Sequence, residues 1–473
     1  MFKKQPLLSF YLLCLGIFLL LAGRYLFADT MFMDGMIYST IAHNIAIGKG
    51  SIWNLYFTGT MYQEFHEHPP LAMALESVYF QLFGSSRIVD KIYTFSTTIF
   101  TAIAIVQLWK TISPKKELSW TPLLFWIFVP VVFWSSSNNL LENTLTVFTT
   151  LSVIYIVKGQ TKNKWFYFLL AGIFLSLGFL TKGFVALFPW AMVFFLWLFL
   201  RKVSLLKMIL QTLLVILFTL LPIVILCLIS PAARQSLWDY YQIQVVKSIQ
   251  SISTVDSRFF IIKRMFSELI LPIGIALIVY FSFFKRRGSL KLDKEQKSIA
   301  FVFISIGLAA VLPIMISMKQ SGFYILAAYP FFAVAIAHFL QPQLSTFTQH
   351  ILSNPFASKR FSIVSVVLFA LGVSLNIYFS NGFGKDEVKV KDMRTILPYL
   401  PKNSIISICT EMNEDWTLHA YYERFKSVSL DYDVKHLRNF VLVHQSECPS
   451  FDIPKNYKEI KLKTIEYKLY KKK

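Results

Sequence analysis

The chain has 473 residues, of which 55% are hydrophobic and 16% aromatic, with a mean hydropathy of +0.54 and a formal net charge of +21. A composition this apolar excludes an ordinary soluble domain and points to a polytopic membrane protein. The positive charge does not imply nucleic acid, because the lysines and arginines fall in short clusters between apolar runs instead of lining one polar face.

In chain order, Lys3 and Lys4 precede an apolar run from 7 to 28, longer than a signal-peptide core and without a convincing cleavage site, which reads as an uncleaved anchor. An acidic, proline-punctuated loop follows, carrying Asp34-Gly35 and then Glu64-Phe65-His66-Glu67-His68-Pro69-Pro70. Between these motifs, Ile37, Ile41 and Ile45 recur at helical spacing and Gly48 can close the helix. Asp34 is therefore either a plain N-cap or a carboxylate held at a helix start on the membrane surface, where the helix dipole keeps it ionised and able to act as a general base. The stretch 71 to 84 offers only about fourteen apolar residues and carries Glu76, which suits a re-entrant or interfacial helix.

Eleven segments are long enough to span: 7–28, 91–112, 119–137, 140–157, 165–181, 184–200, 206–229, 265–284, 298–317, 323–340 and 361–379. If 71–84 does not cross, the basic clusters at Lys3/Lys4, Lys115/Lys116, Lys158/Lys162/Lys164, Arg201/Lys202/Lys207, Lys285 to Lys297 and Lys359/Arg360 all fall on the cytoplasmic side. The opposite face then collects the 29–90 loop, the 138–139 turn, Lys182, the 230–264 loop, 317–322 and the C-terminal tail. This divides the chain into a transmembrane module, 1–379, and an external soluble α/β domain, 380–473. In the latter, 405–408, 440–443 and 460–469 read as strands, and Asn413 to Arg424 as a helix capped by Asn413. Cys14 and Cys227 lie in apolar runs. Cys409 and Cys448 lie in the tail, where they either pair or remain two separate buried thiols. The fold class is thus mainly α: a transmembrane helical bundle with juxtamembrane helices and a small C-terminal α/β domain.

The candidate chemistry gathers on the external face. Glu142 sits at the outer end of one span, where an intramembrane carboxylate faces protein or water and not lipid, and Glu76 is expected to make a structural hydrogen bond. Lys182 and Lys319 either snorkel to headgroups or hold an anion, and Lys247 and Arg258 lie beside Trp238, Tyr240 and Tyr241 as interfacial anchors or ligands. His66, Glu67 and His68 are candidate ligands for a divalent metal, although their spacing matches no standard motif. A transferase on this face has no access to cytoplasmic nucleotide-activated donors. It is expected to take its sugar from a polyprenyl phosphate, with cations holding the departing phosphate and a carboxylate receiving the acceptor's proton.

These residues resemble the C-type, lipid-phosphate-dependent glycosyltransferases, in particular the protein O-mannosyltransferases and the lipid A aminoarabinose transferases. The resemblance covers most of 1–340. It rests on Asp34 before an amphipathic helix, on Phe65-His66-Glu67-His68-Pro69-Pro70-Leu71, on Leu82-Phe83-Gly84, on Leu180-Thr181-Lys182-Gly183, and on Lys319 with Tyr324-Ile325-Leu326 and Pro330. His68-Pro69-Pro70-Leu71 is similar to the mannosyltransferase pattern, and Leu-Thr-Lys-Gly to the bacterial branch. The resemblance implies an inverting transfer with Asp34 as base. It makes Glu67, His68, Glu142, Lys182, Arg258, Lys319 and Tyr324 candidates for binding the donor phosphate, a metal or the acceptor, which would be a lipid, a glycan or a protein. Two departures stand out: Gly35 replaces the acid that commonly follows the catalytic Asp, and Lys247-Ser248-Ile249-Gln250 lacks the histidine of the aminoarabinose branch. Two rival readings are a transporter or flippase of lipid-linked sugar, which would show repeats and midplane charges, and a non-catalytic binder of lipid-linked sugar.

Overall fold

The computed structural model describes residues 6–162, 164–247, 253–287 and 292–473. Lys3, Lys4, Lys291 and Ser248 to Gln250 lie outside the described residues, as do the side chains of Lys285, Arg286 and Arg287.

Helix α1 (Pro6–Ala22) packs along the last long helix, α16 (Pro355–Phe379), where Gly16 admits the α16 backbone at Leu368 and Phe369. Two juxtamembrane helices follow, α2 (Met33–Ala46) and α3 (Leu71–Phe83), and they pack on each other. At 13 residues α3 is too short to span. The bundle continues with α4 (Val89–Ile112), α5 (Trp120–Ile127), α6 (Pro130–Ser135), α7 (Leu141–Lys162), α8 (Trp165–Lys182), α9 (Met192–Leu200), α10 (Leu205–Ile229), α11 (Pro231–Tyr240), α12 (Phe260–Arg287), α13 (Lys294–Val311), α14 (Tyr329–Phe339) and α15 (Gln341–Ser353).

Among the described residues, eight helical stretches are by themselves long and apolar enough to cross a membrane, and the remaining expected segments take other forms. The expected 119–137 span is split into α5 and α6, because Pro130 opens the second piece. The expected 140–157 span is the 22-residue α7, whose Glu142, Asn143, Thr146, Thr149 and Thr150 are buried against protein and lower its hydropathy. The expected pair 165–181 and 184–200 forms one continuous apolar stretch, Trp165–Leu200. That stretch nevertheless folds back on itself. Lys182 meets Glu142 at the start of α7, whereas Leu200 and Lys202 line a pocket with Gln160 and Thr161 at its end. Gly183 makes the reversal, at φ +69°, with the Tyr240 ring standing where a Cβ would project.

The loops sort into two sets at the two ends of the bundle. At one end Phe32 meets Asn138, Lys319 meets Gln244, and Thr254 meets Gln320. At the other, Lys115 meets Ser345, Lys202 meets Glu295, and Gln160 meets Gln211. This grouping is the one that the basic clusters required.

Beyond α16, helix α17 (Glu387–Ile396), strand β1 (Ile405–Ile408), helix α18 (Trp416–Lys426) and strands β2 (Ser429–Asp431), β3 (Phe440–His444), β4 (Tyr457–Ile460) and β5 (Tyr467–Lys472) form a mixed five-stranded unit of order β2-β1-β3-β5-β4. The expected 460–469 strand is a hairpin, β4 and β5 pairing antiparallel with Ile460 opposite Leu469. The α18 cap is Asp415, which accepts from the Leu418 N–H at 3.1 Å, and not Asn413, which lies in a preceding 3₁₀ turn. Cys409 and Cys448 are disulfide-bonded, so the pairing alternative holds and the separate-thiol one does not. One apolar core runs through this unit into the first loop: Ile406, Tyr421, Tyr422 and Leu442 cluster with Met36, Ile41, Phe57 and Met73.

Candidate functional site

Asp34 lies in the first turn of α2, one residue inside the helix, so the plain N-cap reading does not hold. Phe32 is the N-cap, and its backbone N–H donates to Asn138 Oδ1 at 2.8 Å. The 138–139 turn therefore sets the start of α2. Gly35 packs so tightly against the Asn138 carbonyl that any Cβ would collide with it, which explains the missing second acid. Asn139, at φ +46°, donates to both Glu76 carboxylate oxygens at 2.9 Å, the structural bond expected of Glu76.

Asp34 is half-buried. Burial pushes its carboxyl up to about 6, against the pull of the Lys182 ammonium and with reinforcement from Glu142 and Glu67; Lys319 draws it down. Four of the residues singled out from the sequence thus surround the fifth closely enough to perturb it. Glu142 and Lys182, both buried, form an ion pair, and the Lys182 ammonium stands 4.5 Å from the Tyr324 ring centroid. Lys319 Nζ donates to Gln244 Oε1 at 3.1 Å. His68 packs edge-on to Tyr38, 5.6 Å between centroids, and its Nδ1 is buried without a partner. Burial holds its ring well below the usual histidine range, hence neutral, with Lys182 and Lys319 adding to the effect.

A cavity of about 460 Å³ opens beside this cluster. His68, Lys182, Lys319, Tyr324 and Gln244 form its polar end, and Phe184, Leu187, Phe188, Ala309, Pro313 and Ile314 its apolar wall. It combines two ammonium groups with an apolar wall in one opening.

Arg258 does not join it. Its Nη1 donates to the Ile316 carbonyl at 2.5 Å and to that of Met315 at 3.3 Å, which fastens the segment before Lys319. His66 also faces elsewhere, toward Glu64 at 3.8 Å and Asp239 at 3.9 Å. Glu67, His66 and His68 do not form a three-donor set. Among the described residues the single such grouping is Cys409, Glu411 and Cys448, whose thiols are consumed by the disulfide. Among the described residues, His66, Glu67 and His68 are thus not gathered as ligands of one ion.

Two contributors escaped the sequence reading. Tyr38 follows Asp34 at i+4 on the same helix face, and that spacing could have found it. Gln244 arrives from the 230–264 loop with no local signal beyond its polarity, whereas Tyr240, named there only as an aromatic neighbour of the cations, packs on Gly183.

Residues 67–226 match the family model described as dolichyl-phosphate-mannose-protein mannosyltransferase. The undecaprenyl phosphate-alpha-4-amino-4-deoxy-L-arabinose arabinosyl transferase of Wigglesworthia glossinidia brevipalpis is 26% identical over 151 residues, 31% of this chain and 27% of that protein. The match therefore spans about a quarter of the arabinosyl transferase's length. The crystal structure of ArnT from Cupriavidus metallidurans in the apo state superposes with a TM-score of 0.66 at 13% identity, covering 97% of both chains. The same protein bound to undecaprenyl phosphate gives 0.65 at 12%, again over 97% of both. The chain shares its fold with these ArnT structures. The archaeal oligosaccharyltransferase AglB from Archaeoglobus fulgidus, in complex with an inhibitory peptide and a dolichol-phosphate, is more distant, with a TM-score of 0.54 at 11% identity over 94% of this chain and 70% of that one. Since the polar residues of the cavity come from separate stretches of the chain, this fold is what holds Lys182, Gln244 and Lys319 around one opening.

Proposed function

We propose that this protein is an integral-membrane glycosyltransferase of the inner membrane, moving a sugar from a polyprenyl-phosphate donor to a lipid, polysaccharide or protein acceptor on the non-cytoplasmic face. The observation that carries this is the amphiphilic cavity. Its apolar wall suits a prenyl chain, and its Lys182–Lys319 end lies next to a half-buried carboxylate.

In this reading the donor's phosphate sits against Lys182 and Lys319, with the neutral His68 ring contributing its unpartnered nitrogen. Glu142 keeps Lys182 aimed through their ion pair. The acceptor oxygen attacks the anomeric carbon from the Asp34 side. The bond from that carbon to the phosphate oxygen breaks, the polyprenyl phosphate leaves with the electron pair, and Asp34 takes the acceptor's proton. Preorganised cations stabilise the phosphate charge as it develops. With its carboxyl at about 6, Asp34 is ionised at neutral pH yet basic enough to accept the proton. No step needs a metal. The C-terminal unit lies outside the membrane on the same face, in keeping with its disulfide.

The transporter reading is not favoured, because the candidate acids and cations of the site collect at one end of the bundle and not at its middle. Asp34→Asn, assayed for donor-dependent transfer in membranes, is expected to lose about a hundredfold or more in rate while folding normally. Normal turnover by a well-folded variant would remove Asp34 from the chemistry.

A further inference from the structure

The loop between α2 and α3 carries a feature that the transfer chemistry does not use. Residues 57 to 62 form a tight hairpin, with the Phe57 N–H donating to the Tyr62 carbonyl at 3.1 Å and the Thr58 N–H to that of Met61 at 3.1 Å. Its tip is fastened to β2, the Gly59 N–H donating to Ser429 Oγ at 2.8 Å and Thr60 Oγ1 to the Leu430 carbonyl at 2.6 Å. At its end Tyr62 stands at φ +52°, a conformation that costs an aromatic residue energy and persists only where the surroundings enforce it. The ring so presented is 41% exposed. It lies 5.1 Å from the Trp416 ring, which backs onto Phe57 at 6.3 Å and 13° between planes.

We propose that Tyr62 and Trp416 form a ledge that grips a pyranose ring of the acceptor beside Asp34, so that the acceptor is a neutral or amino-bearing saccharide. This rests on the glycosyl-transfer reading. Rigid aromatic side chains offer a large apolar face with little entropy to lose, which is what the C–H face of a sugar ring needs. Around them stand the exposed Glu64 and Glu414, which accept from sugar hydroxyls or ammonium groups and repel phosphate. Glu67 links the ledge to the site: five residues along the chain from Tyr62, its carboxylate acts on both the Tyr62 hydroxyl and the Asp34 carboxyl. Trp416 belongs to the same helix α18 that packs on α2, so acceptor ledge and base are held by one framework.

The test uses the full chain in lipid nanodiscs, with glucosamine and N-acetylglucosamine disaccharides as probes, read by saturation-transfer NMR. Wild type and Tyr62→Phe are expected to saturate the pyranose protons equally, and Tyr62→Gly, which relieves the backbone strain while removing the ring, to weaken binding about fivefold or more. Wild type that binds neither disaccharide, or Tyr62→Gly that binds like wild type, overturns the proposal. So does binding lost in Lys385→Ala instead. That result would move the acceptor to a second cavity of about 380 Å³ lined by Tyr25, Phe32, Trp134 and Lys385, and toward an anionic lipid. Retention of polyprenyl phosphate by the same samples is measured in parallel. Its failure would count against the donor reading without touching the saccharide result.

Discussion

At the scale of single residues, Asp34 and its neighbour Gly35 show how placement decides chemistry. The Asp34 carboxyl is raised to about 6, so transfer is expected to fall as pH drops through 6, measured as kcat against pH with the donor saturating. The stability effect runs the other way. The folded state holds the proton more tightly than the unfolded one, so Asp34 destabilises the protein as pH rises from the ordinary carboxylate range through 6. Asp34→Asn should remove that slope and melt no lower than wild type at pH 7, seen in thermal unfolding at several pH values. Gly35→Ala drives a methyl group into the Asn138 carbonyl. It is expected to displace the α2 terminus and reduce transfer about as severely as loss of the base, by roughly a hundredfold, although it touches no substrate. Asp34 was legible in the sequence because a carboxylate against apolar helices is costly and therefore conspicuous. Asn138, which sets the position of Asp34, was not, because a polar turn residue looks the same wherever it packs.

Among the elements, the α8–α9 hairpin and the start of α7 carry the Glu142–Lys182 pair at the polar end of the cavity. The Glu142–Lys182 pair is buried, and removing one partner strands the other's charge. Glu142→Gln is expected to destabilise by about 3 kcal/mol or more, whereas Glu142→Leu with Lys182→Met should restore much of that stability without restoring transfer. Chemical denaturation and a donor-transfer assay on the same preparations separate the two effects. The helical pattern revealed α2, α3 and the long spans, since period and apolar length are local properties. It did not show that Pro130 splits one expected segment into two helices or that α7 buries a polar face against protein, because hydropathy cannot distinguish a partner helix from lipid.

At the scale of the molecule, the C-terminal unit is a structural partner of the first loop. Helix α18 lies on α2, where the Thr40 hydroxyl donates to the Ala420 carbonyl at 3.1 Å, and Lys49 pairs with Glu423 at 3.0 Å. Arg424, fully buried over the Phe80 ring, donates to the Ser85 and Ser86 carbonyls at 3.2 and 3.1 Å. Arg424→Ala leaves both acceptors unanswered and should cost about 3 kcal/mol. The expected result is a lower melting temperature together with slower transfer, because the α2 scaffold loosens with the contact. Opening the Cys409–Cys448 bond with reductant should lower stability by about 2–4 kcal/mol, readable as a shift in thermal unfolding of the full chain.

The order of apolar stretches and the basic clusters between them already required a membrane protein whose acids and cations share one face, because each residue's preference for lipid or water is settled locally. The cavity needed more. His68, Lys182, Gln244, Lys319 and Tyr324 meet only through contacts between segments far apart in the chain. The exclusion of Arg258 and His66, the reason for Gly35, and the junction of α18 with α2 follow from packing between such segments, which no local pattern records.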